Sequence, residues 1–141
     1  MTRKVDTRLL KLIRKYNNTP RVLGYSDCNL FFAEVYEPEK YDKIVGKADS
    51  VLSFARLCKA SFGVTSIDEF LTLSDDYEQL DPLMNRPAEG DLITNGLNVG
   101  IVFHDSFFGV FDDVFRAVKL RRVKLTNKGK LFRRTTEWPQ L

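Results

Sequence analysis

The sequence predicts an α+β fold in which N-terminal helices pack on a C-terminal antiparallel β-sheet. Up to about residue 73, apolar residues recur at the three- and four-residue spacing of amphipathic helices. From Asp91 onward, short β-branched and aromatic runs are separated by Gly, Asn and Asp, which is typical of strands joined by turns. Helices first and a meander afterwards indicate the α+β class. A chain of 141 residues with 43% hydrophobic content is long enough for one core, so a single domain is expected over residues 1–141.

Two helices are predicted in the first part of the chain. The first covers Thr7 to Tyr16, has a basic outer face and lies in a basic N-terminal segment, residues 1–20; the sequence "NNTPR" ends it. The second begins after Asp27, because aspartate is a good N-cap. Its residues "CNLFFAEVY" carry more than one apolar stripe, so this helix is expected to be largely buried.

Two further helices are predicted before the strands begin. One runs from about Asp49 to Phe62 and is closed by Gly63. The other is opened by Ser66, with Glu69 three positions later as in a capping box. No helix is predicted in "EPEKYDKIVGKAD", and the acidic stretch "SDDYEQLDPLMNRPAEG" is expected to be a loop.

The strand-like runs read "DLITNG", "NVGIVFHD", "FFGVFDDV", "RAVKLRRVKL" and "KLFRRTTEW". Each is rich in the β-branched and aromatic residues that suit a half-buried sheet. The part of the chain from Lys124 onward is interpreted as an edge strand, a partner-binding arm or both.

The charges are distributed unevenly along the chain. Residues 119–134 hold eight Lys/Arg and no acidic residue, and the first sixteen residues hold six Lys/Arg with Asp6 as the only acid. Two interpretations stay open: the basic ends attract polyanions or acidic partners, or they are solvated faces whose long side chains cover apolar surface. The candidate binding residues in the basic C-terminal segment, residues 119–141, are Lys119, Arg121, Arg122, Lys124, Arg133 and Arg134.

Composition argues against several classes of protein. The two cysteines, Cys28 and Cys58, are too few for a disulfide framework and lack the spacing of a zinc site, so no metal is expected and a reducing compartment fits best. No stretch reaches the roughly 18 apolar residues of a membrane-spanning helix, and no cleavage-type site follows the basic N-terminus. His104 is the only histidine, which excludes a mechanism that needs two imidazoles. No cofactor is expected.

Cys28 directly follows the predicted N-cap Asp27. At a helix N-terminus the helix dipole and the free amide donors favour the thiolate, which is the nucleophilic form of cysteine. Catalysis also needs an imidazole within hydrogen-bond reach. The alternative is that Cys28 is a buried and inert core residue, since free cysteine is among the most buried residue types. Cys58, on the apolar face of its predicted helix, is interpreted as a core residue.

Two segments, "YSDCNLFFAEVY" and "RPAEGDLITNGLNVGIVF", carry a resemblance to a known family. Together they resemble the NlpC-type branch of the papain-like cysteine peptidases, and more narrowly the small phage-encoded NlpC-like proteins associated with tail or other virion modules. The similarity covers roughly residues 20 to 110. It implies a papain-like fold, with Cys28 at the nucleophile position and Pro87, Gly90 and Asp91 at the turn that leads into the first strand.

The other catalytic positions of that family do not match. Where the family has histidine, immediately before "VGI", this sequence has Asn98, and an amide cannot exchange a proton at neutral pH as imidazole does. His104 would face the same side of the strand about 20 Å away, so it is interpreted as a solvated strand-end residue. The third position of the family falls near Phe108, Gly109 and Val110, none of which can orient a histidine.

The resemblance and the missing base together predict a pseudoenzyme. The expected function is that of a non-catalytic phage protein that binds a protein, as a tail or head–tail component or as a binder of a host factor, in the host cytoplasm, the virion or both. The alternative is a cysteine amidohydrolase that cleaves peptidoglycan or another amide, with Cys28 as nucleophile and His104 as base. A third hypothesis is nucleic-acid binding by the basic termini, near which Phe115, Phe132 and Trp138 lie.

Overall fold

The computed structural model describes residues 3–95, 98–120 and 129–136, and it contains helices followed by a sheet. The helices are α1 (Arg3–Tyr16), α2 (Cys28–Tyr36), α3 (Pro38–Ile44), α4 (Val51–Phe62) and α5 (Ile67–Leu73). The strands are β1 (Tyr77–Leu80), β2 (Leu92–Thr94), β3 (Val99–Phe103), β4 (Ser106–Phe111), β5 (Val114–Lys119) and β6 (Lys130–Arg134). They form one antiparallel sheet in the order β1-β6-β2-β3-β4-β5. The predicted α+β class, with helices first and an antiparallel sheet afterwards, is confirmed.

Helix α2 lies at the centre of the packing and has buried residues on several sides. One side contributes Phe31, Phe32, Val35 and Tyr36 to the main core, together with side chains of α1 and of the sheet. The other side contributes Leu30 and Ala33 to a second core with Phe54 and Cys58 of α4. The prediction that this helix is largely buried is therefore confirmed, and its apolar residues hold the helical layer against the sheet.

Local signals place most helix ends where the sequence predicts them. Asp27 caps α2, and Gly63 ends α4 in the left-handed conformation with φ 76°. The Ser66 hydroxyl accepts a hydrogen bond from the backbone N–H of Glu69 at 3.1 Å, as in the predicted cap of α5. The start of α4 differs by two residues from the predicted Asp49, because Ser50 is its N-cap and accepts from the N–H of Ser53.

Two elements were missed by the sequence analysis. Helix α3 occupies part of "EPEKYDKIVGKAD", with Pro38 in its first turn, where proline costs no hydrogen bond. Strand β1 lies within the acidic stretch that was expected to be a loop, and it pairs with β6 over Tyr77 to Leu80. The interpretation of the chain end as an edge strand is also wrong for residues 130–134, since β6 lies between β1 and β2.

The two outer strands of the sheet have different surroundings. Beside β5, residues 18–21 run along the strand: the Asn18 N–H donates to the carbonyl of Phe115 at 2.8 Å, and the Phe115 N–H donates to the carbonyl of Thr19 at 2.9 Å. These hydrogen bonds anchor the chain to the sheet shortly before the loop that leads to Cys28 and α2. At the other side of the sheet, β1 is the last strand among the described residues.

Candidate functional site around Cys28

Cys28 is the first residue of α2, and its position is set by a rigid loop before the helix. The carboxylate of Asp27 is buried and accepts from the N–H of Leu30 and from the N–H of Gly24, both at 2.9 Å. Gly24 has φ +85°, and a Cβ atom there would lie 1.7 Å from the carbonyl oxygen of Ala48. Only glycine fits this contact, so loop, cap and Cys28 form one fixed unit.

Asn98 lies against Cys28 across the junction between α2 and the sheet. The Cys28 thiol donates to Asn98 Oδ1 over 3.6 Å, and Asn98 stands immediately before β3. A short reciprocal turn fixes this asparagine: its N–H donates to Asn95 Oδ1 at 3.2 Å, and the N–H of Asn95 donates to the Asn98 carbonyl at 3.1 Å. The structure thus brings together two residues that are seventy positions apart in the chain, and the neighbour of the thiol is an amide.

Burial raises the pKa of the Cys28 thiol to about 11. A hydrogen bond from the Val99 N–H and the charge of Arg21 lower the pKa, while the charge of Asp27 raises it, but burial has the largest effect. Cys28 is only 4% exposed. The net result is the opposite of the thiolate that a helix N-terminus alone would favour, and it corresponds to the protonated, weakly nucleophilic form.

The strand after β3 offers no polar group at the positions expected to orient a base. Phe108 is buried in the main core, Gly109 has no side chain and Val110 packs against the core. The antiparallel register that pairs Ile101 with Phe108 places Phe111 opposite Asn98 when it is extended by three residues. None of these four residues of β4 has a side chain that could accept a hydrogen bond from a histidine at position 98.

His104 lies at the other end of β3 from Asn98. It occupies a turn with φ 55°, and its side chain is 69% exposed. Its Nδ1 is 3.5 Å from Oε1 of Glu89. Because the five residues of β3 separate it from Asn98, the imidazole is roughly 20 Å along the sheet from that asparagine. The structure does not bring His104 to Cys28.

The basic candidates of the C-terminal segment make internal contacts wherever they are described. The guanidinium of Arg133 donates to both oxygens of the buried Asp91 at 2.9 Å, which raises the pKa of Arg133. Arg134 donates to Glu37 at 3.1 Å and to the hydroxyl of Tyr77 at 2.6 Å. Lys119 lies 3.6 Å from Asp105 on the surface. Arg121, Arg122 and Lys124 lie outside the described residues, and the binding role of all six stays a prediction.

Of the three aromatic residues considered for nucleic-acid binding, two are described by the structure and one is not. Phe115 and Phe132 are fully buried in the main core, and Trp138 lies outside the described residues.

Cys58 is buried in the second core, where burial raises its pKa to about 11. Within residues 3–95, 98–120 and 129–136, no three His, Cys, Asp or Glu side chains are grouped as metal ligands. No described helix has the length and hydropathy to cross a bilayer.

Two contributors to the Cys28 environment were missed by the sequence analysis, the charge of Arg21 and the N–H of Val99. Val99 is the first residue of the "VGI" motif, which could have pointed to it, whereas nothing near Arg21 in the sequence indicates its proximity to the thiol.

Comparison of the chain with protein-family models, with curated proteins and with solved structures gives no match.

Proposed function

We propose that this chain is a degenerate NlpC-like protein of the papain-like fold that acts by binding a protein and does not hydrolyse amides. The observation that carries the proposal is the contact of 3.6 Å between the Cys28 thiol and Asn98 Oδ1. The residue at the nucleophile position of the resemblance touches the residue at its histidine position, and that residue is an amide.

The chemistry of this pair opposes cysteine hydrolysis. An amide neither takes a proton from a thiol nor returns one to a leaving amine at neutral pH. With a thiol pKa of about 11, roughly one molecule in ten thousand carries the thiolate at pH 7. The oxygen of Asn98 accepts from the protonated thiol, which further favours the unreactive form.

The biological setting of the proposal follows from the resemblance to phage-encoded NlpC-like proteins. We assign the chain either to a tail or head–tail component of a virion or to a protein that binds a host factor, in the host cytoplasm, the virion or both. Mass spectrometry of purified particles separates these two versions: absence of the protein from the particles leaves the host-factor version alone. The supporting observations are the family resemblance and the position of Asn98, an amide, beside the Cys28 thiol.

Two other functions have less support. A cysteine amidohydrolase needs His104 beside Cys28, yet the imidazole is exposed at the opposite end of β3. Nucleic-acid binding through the basic termini loses Phe115 and Phe132 as stacking platforms, because both rings are buried. In addition, two of the basic residues proposed to bind nucleic acid, Arg133 and Arg134, already form ion pairs with Asp91 and Glu37.

Alkylation of Cys28 by iodoacetamide between pH 5 and 9 tests the proposal. In a Cys58→Ala background, which leaves one thiol, we expect slow reaction whose rate rises about tenfold per pH unit without a plateau. The same profile is expected in the His104→Ala variant, and Cys28→Ser serves as the blank. A plateau near neutral pH that moves upward in His104→Ala would place an imidazole beside a thiolate and would overturn the proposal in favour of the hydrolase.

A further inference from the structure

The open edge of the sheet carries a second inference, which rests on the proposed protein-binding function and specifies its surface. We infer that the outer edge of β1, together with the turn at residues 81–86, is the docking site for an extended, basic segment of a partner protein. The segment would add a strand beside β1 through main-chain hydrogen bonds, while its cationic side chains meet acidic groups of this chain.

The register of β1 shows which backbone groups point to the open side. The N–H of Thr135 donates to the carbonyl of Asp76 at 2.8 Å, so residues 76 and 135 form a hydrogen-bonded pair. Hydrogen-bonded and non-hydrogen-bonded pairs alternate in antiparallel strands, and Gln79 is paired with Phe132. Counting along the register places Gln79 in a non-hydrogen-bonded pair. Its N–H and carbonyl therefore point away from β6, toward the edge that no strand covers in the described part of the chain.

The opposite edge provides a comparison within the same sheet. There, residues 18–21 pair with the outward N–H and carbonyl of Phe115 near the start of β5. An uncovered edge strand invites pairing with another chain unless it is protected by charge, shortness or proline. Strand β1 has four residues and Pro82 follows soon after it, which limits the added strand to a short segment.

Acidic side chains outnumber basic ones on and beside β1. Asp75, Glu78 and Asp81 are exposed, whereas the basic groups are Arg86 in the following turn and Arg133, which lies opposite Glu78 on β6 and is bound to Asp91. Such a surface repels acidic segments and attracts cationic ones, which favours a partner segment rich in Lys or Arg. Charge complementarity thus selects the occupant and also protects the edge against pairing with the edge of a second copy.

The turn after β1 presents apolar side chains in a fixed geometry. Leu83 is 93% exposed and Met84 is 81% exposed. The carboxylate of Asp81 accepts from the Leu83 N–H at 2.9 Å, and its carbonyl accepts from the N–H groups of Met84 and Asn85 at 3.1 and 2.9 Å. Adjacent apolar side chains held out into solvent gain nothing in the free protein, whereas a partner that covers them gains buried area. We expect the docked segment to continue from β1 onto these two residues.

A defined peptide tests the site directly. The probe is acetyl-(Lys-Val)₄-amide, with acetyl-(Glu-Val)₄-amide as the charge control, and binding is followed by fluorescence anisotropy and by the NMR shift of the Gln79 amide. We expect the Lys peptide to bind and to move the Gln79 signal, and the Glu peptide to bind at least tenfold more weakly.

Backbone and charge variants separate edge pairing from simple attraction. Gln79→Pro removes the outward N–H without removing a bond to β6, so we expect at least tenfold weaker binding, whereas Gln79→Ala, which keeps the N–H, should change affinity less than threefold. Glu78→Lys should weaken binding at least fivefold. The matched control Glu39→Lys, at an exposed position of α3, should change it less than twofold.

Each contrary result has a distinct meaning. Undiminished binding to a folded Gln79→Pro variant would overturn the edge site, while slow, His104-independent alkylation of Cys28 would leave the proposed function standing. Dimerisation that Gln79→Pro abolishes would overturn the choice of occupant in favour of a second copy. If circular dichroism finds Gln79→Pro unfolded, the wild-type protein is titrated with the Lys peptide N-methylated at every residue, which has no N–H along either edge and is expected to bind at least tenfold more weakly. Equal binding would refute strand addition.

Discussion

At the scale of single residues, the pair formed by Cys28 and Asn98 decides what the site can do. The loop contacts of Asp27 and Gly24 fix the thiol at the start of α2, and the turn made by Asn95 fixes its neighbour. The thiol and residue 98 are therefore held beside each other, but burial keeps the thiol protonated and the amide of Asn98 cannot take up its proton.

Replacing Asn98 with histidine should make Cys28 more acidic. An imidazolium within about 4 Å stabilises the thiolate, so we expect the apparent pKa of Cys28 to fall clearly below 11 and alkylation at pH 7 to accelerate at least tenfold. The measurement is the rate of iodoacetamide reaction against pH in a Cys58→Ala background. We do not expect amide hydrolysis, because Val110 and Phe111 cannot orient the new ring.

The control for this variant is Asn98→Asp, which has nearly the same size as wild type but adds a negative charge. It should raise the apparent pKa of Cys28 and slow alkylation. Equal rates in Asn98→His and Asn98→Asp would contradict the placement of residue 98 beside the thiol.

At the scale of elements, α1 is tied to α2 by a buried arginine. Arg8 of α1 donates through Nη1 to the carbonyl of Val35 and through Nη2 to the carbonyl of Glu34 at 2.7 Å, in the last turn of α2. A cation at a helix C-terminus also interacts favourably with the helix dipole. The basic N-terminal helix, predicted to have a basic outer face, therefore also places one of its charges inside the protein.

Arg8→Met should destabilise the fold by about 2 kcal/mol, because it leaves two carbonyls at the end of α2 without their charged donor while retaining the apolar stem. Urea denaturation followed by circular dichroism measures the change. Arg14→Met, an exposed substitution in the same helix, should stay within about 0.5 kcal/mol of wild type. If both variants unfold at the same urea concentration, the contact with α2 contributes nothing to stability.

Elements were predictable where their signals are local. The caps at Asp27 and Ser66 and the terminal Gly63 act within four residues, so the sequence alone locates those helix ends. Helix α3 has seven residues, too few to show a period, and "YEQL" in β1 is short and half polar. Its strand conformation depends on β6, more than fifty residues later, and such pairing leaves no local pattern. The contact between Cys28 and Asn98 was anticipated only through the resemblance.

At the scale of the whole molecule, charges of the C-terminal strand hold distant parts of the chain together. Arg133 binds the buried Asp91 before β2, and Arg134 reaches Glu37 before α3 and Tyr77 in β1. Strand β6 is thereby held in the middle of the sheet by side chains as well as by its two neighbouring strands. Some of the basic residues concentrated near the C-terminus therefore stabilise the fold through ion pairs and hydrogen bonds. A count of basic residues along the sequence does not distinguish these from residues free to bind a partner.

The buried thiols should make the stability of the whole molecule depend on pH in alkaline solution. Cys28 and Cys58 have folded-state pKa values of about 11, above the ordinary value of 9.0. The unfolded chain therefore releases these protons first, so stability is fully present below about pH 9 and is lost as pH rises toward 11. By pH 10 each thiol should have lowered the free energy of unfolding by about 1 kcal/mol relative to pH 7.

Urea denaturation at pH 7 and pH 10 under reducing conditions checks this pH dependence. The double variant Cys28→Ala/Cys58→Ala should lose about 2 kcal/mol less than wild type between these two pH values, whatever its stability at pH 7. The three buried tyrosines, whose pKa values are also raised, are half ionised in the unfolded chain at pH 10 and each add about 0.4 kcal/mol to the loss, but they do so equally in wild type and double variant. An equal loss in wild type and double variant would mean that the thiols are accessible enough to ionise in the folded protein. In that case Cys28 would be available for chemistry, and the proposed non-catalytic function would lose the support that the raised thiol pKa gives it.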